Sequence, residues 1–129
     1  PFIVCIQNKE LIKKISLMNA KVMGGNGDPF YGAPTLLIVL ADPSIRTYLY
    51  DGSLVMGNLM NAAQAVGVAS CYIFRAKEVF ETEEGKELLK EWNIPTNYVG
   101  IGNCILGYAD EGGIKSALPR KENYIIKVK

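Results

Sequence analysis

Between Gly52 and Val66 the chain specifies a helix with almost no polar face. Leu54, Val55, Met56, Leu59, Met60, Ala62, Ala63, Ala65 and Val66 fill it. A helix on the surface of a globular domain keeps one side for water, so this one must be covered on nearly all sides. A chain of 129 residues suits a single domain, residues 1–129, with a modest interior. Part of the cover is therefore expected from a second subunit. Gly57, Ala62 and Ala63 permit close backbone approach, Asp51 is the expected N-cap and Gly67 the C′ residue.

Around this helix, short apolar runs alternate with amphipathic ones. Phe2–Ile6 reads as a buried strand. Asn8 then caps a helix with Leu11, Ile12, Ile15, Met18 and Val22 on one side and Lys13, Lys14 and Lys21 on the other. Gly24-Gly25-Asn26-Gly27-Asp28-Pro29 stops it. Thr35–Ala41 is uninterrupted apolar, as in a strand covered on both faces. Val68–Phe74 is a further strand, and Glu78–Trp92 a helix with Thr82, Glu83 and Glu84 as an acidic start. Tyr98–Tyr108 is a strand whose Gly100, Gly102 and Gly107 mark a close neighbour, a bulge or a ligand. A polar loop over Ala109–Leu118 leads to a last apolar strand, Tyr124–Val128. The class is α/β in the broad sense, with a mixed sheet more in keeping with the pattern than a purely parallel one.

Composition excludes several functions. The net charge of +1 and a pI near 8.1 leave no broad nucleic-acid footprint. No apolar run is long enough to span a bilayer, and no basic region precedes an apolar start as in a signal peptide. Cys5, Cys71 and Cys104, odd in number and widely spaced, read as buried thiols in a reducing, cytoplasmic compartment. They form no metal-ligand cluster, so no metal site is expected. With no histidine in the chain, a Ser-His-Asp or Cys-His mechanism is ruled out within it. Redox or acid–base chemistry must come from a cofactor, a carboxylate, a tyrosine, a lysine or water. The first residues lie directly in a core strand, with no initiator Met, which reads as the absence of a preceding segment.

Three stretches can carry chemistry. Gly24–Gly27 follows a helix and has no Lys-Ser or Lys-Thr after it, so it is no phosphate-binding loop of the usual type. It is either a helix stop or a loop beside a substrate or cofactor. Arg120 and Lys121 are a solvated pair in a polar tail, or a phosphate grip, since a guanidinium binds phosphate in two-pronged fashion. Tyr72, Ile73, Phe74 and Arg75 form a strand end. Such an end is ordinary, or it flanks a flat ring with its side chains and freed N–H groups. No pair of carboxylates suggests a general acid–base couple, so catalytic residues stay unassigned.

Four stretches in order resemble the nitroreductase family. They are Asp28–Val39, with its Ala33-Pro34-Thr35-Leu36-Leu37-Ile38-Val39 strand; Asp51–Ile73, with Asn61–Ala65 leading to Gly67-Val68-Ala69-Ser70-Cys71-Tyr72-Ile73; Trp92–Pro95 with Ile105-Leu106-Gly107-Tyr108-Ala109; and Pro119-Arg120-Lys121. Tyr72 stands where Trp is common, Val68 where Leu is common and Ala109 where Pro is common. The likeness covers nearly the whole chain.

The resemblance implies an α+β fold: a mixed, mostly antiparallel sheet flanked by helices, in an intertwined homodimer with FMN at the subunit interface. It implies an enzyme passing electrons from NAD(P)H to a small-molecule acceptor, a nitro compound, a quinone or similar. Arg120 matches a position at the FMN phosphate, with Lys121 beside it, and Tyr72, Ile73, Phe74 and Arg75 match the strand end against the ring. The family's usual N-terminal FMN-binding segment has no counterpart before Pro1, which leads to the expectation that these residues alone bind FMN poorly. The alternatives are a non-catalytic relative that binds a flavin or another flat ligand, and a cofactor-free dimerisation domain.

Overall fold

A computed structural model describes residues Pro1–Val128. Eight elements follow in order: β1 (Phe2–Ile6), α1 (Lys9–Val22), β2 (Thr35–Ala41), α2 (Tyr48–Ala65), β3 (Ala69–Ile73), α3 (Ala76–Glu81), α4 (Glu83–Glu91) and β4 (Val99–Gly107). The strands form one sheet in the order β1-β2-β4-β3. All three pairings are antiparallel, so the described residues hold an α+β fold without the parallel pair that a mixed sheet would contain.

β2 lies at the centre and explains its own composition. Leu36, Ile38 and Leu40 face a core shared with Ile12, Ile15, Phe30, Val79, Phe80, Leu88 and Leu89. Val39 and Ala41 face a second, smaller core with Met56, Ile101 and Cys104. Both faces are covered, so the only polar residue in the strand is Thr35 at its start, which accepts from Gln7 Nε2 at 3.2 Å. A bulge sets the far end of the β2–β4 ladder. Val39 pairs with Gly102 and Leu40 with Gly100, which leaves Ile101 extra. Its side chain fills the space beside Gly52, where an added Cβ would come within 2.6 Å of Ile101.

The helix stops are written locally. Asn8 accepts from Leu11 N at 2.9 Å and starts α1. At its end Gly24 adopts φ +76, with Gly24 N donating to Lys21 O and Gly25 N to Ala20 O, each at 2.9 Å. α2 ends the same way through Gly67, whose N–H reaches Gln64 O while Val68 N reaches Ala63 O. Both are Schellman closures, which need a residue tolerant of the left-handed region.

Several elements depart from the sequence reading. α2 begins at Tyr48 rather than Gly52, so Asp51 lies in its first turn and is not the N-cap. Thr47 holds that place, and its hydroxyl donates to Asp51 Oδ2 at 2.7 Å. α2 is not buried on nearly all sides within the chain either. Only Gly52, Met56 and Ala63 are buried, because a single sheet covers a single stripe, and Leu54 is 69% exposed. The helix expected over 78–92 is two helices. Thr82 turns extended, caps α4 by accepting from Gly85 N at 3.0 Å, and donates to Val79 O at 2.6 Å. Tyr124–Val128 forms no strand and is exposed, having no sheet edge against it. Of the three cysteines only Cys104 is buried; Cys5 and Cys71 are exposed, and all three are free thiols. Cys5 lies on an edge strand and Cys71 on the other edge. Burial, and then the neighbouring Cys71, hold the Cys104 thiol above its ordinary range.

No helix among the described residues is long and apolar enough to cross a membrane.

Candidate functional site

The antiparallel registers gather four chain segments at one end of the sheet. Phe2 pairs with Leu40, Ala41 with Val99 and Ile73 with Asn103. The start of β1, the end of β2, the start of β4 and the end of β3 thus lie together. Tyr72, Ile73, Phe74 and Arg75 emerge at this end.

Tyr72 is fixed by two contacts. Its hydroxyl donates to Ile101 O at 3.0 Å, and its ring occupies the space left open by Gly102. Burial, and then the charge of Glu78, push the phenol up from its ordinary value, so Tyr72 is a neutral donor and not a base near neutral pH. Ile73 turns inward and packs against the larger core. Its carbonyl accepts from Asn103 Nδ2 at 3.4 Å. Asn103 is 1% exposed, and its Oδ1 has no partner among the described residues.

Phe74 projects outward and is 60% exposed. Its ring centroid lies 6.5 Å from that of Tyr72 and 5.2 Å from the Arg75 guanidinium carbon. Arg75 has φ +79, a left-handed conformation that side chains other than glycine seldom adopt. This conformation lets the chain turn from β3 into α3 within two residues, Phe74 and Arg75. Arg75 also donates to Glu78 Oε1 at 2.7 Å. That hydrogen bond, ahead of the attraction between the two charges, holds Glu78 below its ordinary value. The backbone N–H groups of Phe74 and Arg75 have no hydrogen-bond partner among the described residues.

Arg120 and Lys121 lie elsewhere. The tail leaves β4 at Gly107, which pairs with Ala69 at the opposite end of β3 from Ile73. The Arg120 guanidinium carbon sits 5.3 Å from the Tyr124 ring centroid. Among the described residues no hydrogen bond or ion pair joins Arg120 or Lys121 to Tyr72, Ile73, Phe74 or Arg75. Within the described residues the two halves of the sequence-derived site thus make no direct polar contact.

Two cavities lie outside that site. One, of about 650 Å³, opens between α1 and the loop that includes Asn26, Asp28 and Phe30. The other, of about 460 Å³, lies between Tyr31, Pro34, Cys71, Tyr108 and Asp110, and the sequence reading missed it. For the first, Gly24–Gly27 was read as a helix stop or a loop beside a ligand, and Gly27 lines the cavity. Among the described residues no group of three or more His, Cys, Asp or Glu is placed to hold a metal ion.

This sheet, with α2 on one face and α1, α3 and α4 on the other, recurs in solved structures. A nitroreductase with bound FMN from Bacteroides fragilis superposes with a TM-score of 0.86 at 23% identity, over 99% of this chain and 75% of that one. The chain has the nitroreductase fold. A second nitroreductase with bound FMN, from Desulfitobacterium hafniense, matches with a TM-score of 0.82 at 22% identity, over 98% of this chain and 74% of that one. An iodotyrosine deiodinase bound to FMN and 3-iodo-L-tyrosine matches with a TM-score of 0.71 at 19% identity, over 99% and 75% of the respective chains. No protein-family model and no curated protein matches the chain.

The end of β3 fits a flavin in its chemistry. It offers an exposed aromatic face at Phe74 and two backbone donors without partners at Phe74 and Arg75. A ring with acceptor atoms along one edge requires that combination. A phosphate requires a cation, and the Arg120 guanidinium makes no ion pair among the described residues.

Proposed function

We propose that this chain serves an FMN-dependent oxidoreductase that passes electrons from NAD(P)H to nitro compounds, quinones or similar acceptors and works as a homodimer. The observation that carries this reading is the β3–α3 turn, where free backbone donors and an exposed aromatic ring coincide on a nitroreductase fold. Bound FMN would supply the two-electron transfer. The protein's part is to bind and orient it. The N–H groups of Phe74 and Arg75 would hold acceptor atoms of the ring, where a donor steadies negative charge. The Phe74 ring would give it an apolar contact. Arg120 would hold the phosphate, with Lys121 adding charge.

Two exposed apolar surfaces support the dimer. Leu49, Tyr50 and Leu54 stand out from α2, and Tyr124, Ile125, Ile126 and Val128 from the tail. Isolated apolar side chains on a surface are ordinary, but runs of this length on two elements are not. Seating the tail of one subunit on the sheet of the other would cover the tail and let Arg120 reach the neighbouring subunit, and a partner against α2 would cover its exposed stripe. The exposed thiols of Cys5 and Cys71 accord with a reducing, cytoplasmic setting.

The test is the visible absorption spectrum of the whole protein, incubated with FMN and freed of unbound FMN, before and after anaerobic NADH or NADPH. A flavin spectrum that bleaches is the expected result. A flavin spectrum that persists would point to a non-catalytic flavin-binding relative. A protein that stays colourless would overturn the flavin reading.

A further inference from the structure

The cavity beside α1 has a wall from Lys9, Ile12, Lys13, Ser16 and Leu17 and a floor from the loop between Asn26 and Pro34. Its volume of about 650 Å³ falls in the range of small-molecule sites. Its accessible apolar surface comes from Leu17, Ala33 and Pro34, over a buried base of Ile12 and Phe30. Charge is confined to three residues, and they are not equivalent. Asp28 accepts three hydrogen bonds from neutral donors: Oδ1 from Ser16 Oγ at 2.5 Å and from Phe30 N at 3.0 Å, and Oδ2 from Gly32 N at 2.7 Å. They turn it toward the loop and leave its charge in place. Lys9 and Lys13 lie one helical turn apart and make no ion pair among the described residues, whereas the adjacent Lys14 is paired with Glu84 at 3.7 Å. The site therefore shows a ligand an apolar slot with two ammonium groups, against one carboxylate, at its edge.

From this we infer a binding site for a small organic anion: a flat apolar body against Leu17, Ala33 and Pro34, with its carboxylate held at Lys9 and Lys13. The site is separate from the β3 end, and the inference does not depend on the flavin reading. Cinnamate and its uncharged analogue cinnamyl alcohol test it, because they share one apolar skeleton. Amide proton–nitrogen correlation spectra of the protein are followed during titration with each. Cinnamate should shift the amides of Ile12, Ser16, Gly27 and Gly32 to saturation, and the alcohol should bind about tenfold more weakly. The Lys9→Gln/Lys13→Gln double variant, altered only at exposed side chains, should bind cinnamate about tenfold more weakly and the alcohol unchanged. Absence of saturable shifts at these amides, equal binding of acid and alcohol, or unchanged cinnamate binding by the double variant would each overturn the inference.

Discussion

The ring of Tyr72 occupies the space that Gly102 leaves empty on the adjacent strand, so close that a Cβ at residue 102 would stand 2.5 Å from Tyr72 Cε2. The glycine is what lets the tyrosine lie across the sheet and donate to Ile101 O at 3.0 Å. A strand glycine normally costs stability. Here it is kept because it sets the direction of the residue that leads into Phe74 and Arg75. Gly102→Ala should therefore destabilise, by about 1–3 kcal/mol, the usual cost of overpacking. Urea unfolding of the two proteins measures it. A variant as stable as the parent would show that Tyr72 moves aside freely.

Gly85 gives an opposite sign to that read from helix propensity. Glycine to alanine inside an exposed helix gains about 1 kcal/mol. At residue 85 the added Cβ would meet the Val79 carbonyl and the Phe80 backbone, which are parts of α3 and cannot rotate away. Steric cost exceeds propensity, and Gly85→Ala should lower the urea midpoint. An increase in the midpoint would mean that α3 and α4 shift apart without penalty.

These two glycines show how much was legible. Element order, both Schellman stops and the Asn8 cap follow from local rules that act within a few residues, and they are visible in the chain. The break at Thr82 was not read, because Glu78–Trp92 keeps an amphipathic pattern throughout. What marks it is Thr82 itself, extended, accepting from Gly85 N and donating to Val79 O, contacts that spacing alone does not reveal. The same limit hid the exposure of Leu54 and of Tyr124–Val128. Their apolar character says that they need cover, not where the cover comes from. For the site, Tyr72–Arg75 was singled out as a strand end by pattern and as a ring-binding end only by resemblance. The distance between that end and Arg120 depends on a tail with no strand to anchor it.

Acid should weaken the loop that floors the α1 cavity. Desolvation by itself raises Asp28, but the hydrogen bonds from Ser16, Gly32 N and Phe30 N outweigh it and leave the carboxyl below its ordinary 3.8. A group lowered in the folded state adds stability that is fully present above its unfolded value and is lost as pH falls through its folded value. The contribution of Asp28 should therefore be complete at pH above about 5 and fade as pH falls below 3.8. Glu78, lowered from 4.5 mainly by Arg75, acts in the same direction. Unfolding midpoints of the parent and Asp28→Asn, compared across this range, check it. The gap between them should close on acidification, and a constant gap would mean that the asparagine loses something other than charge.

Arg120 carries the sharpest consequence of the proposed function. Arg120 is exposed and its guanidinium lies over the Tyr124 ring, so Arg120→Ala removes no buried contact among the described residues and should leave the fold intact. A charge-assisted bond to phosphate is worth about 1.5–3 kcal/mol, or roughly tenfold to a hundredfold in affinity. Fluorescence titration should show FMN binding weakened by that factor. Riboflavin, which lacks the phosphate, should bind parent and variant alike. Weakening of both flavins equally would assign Arg120 to the shape of the tail and not to the phosphate, and unchanged FMN affinity would remove it from the site.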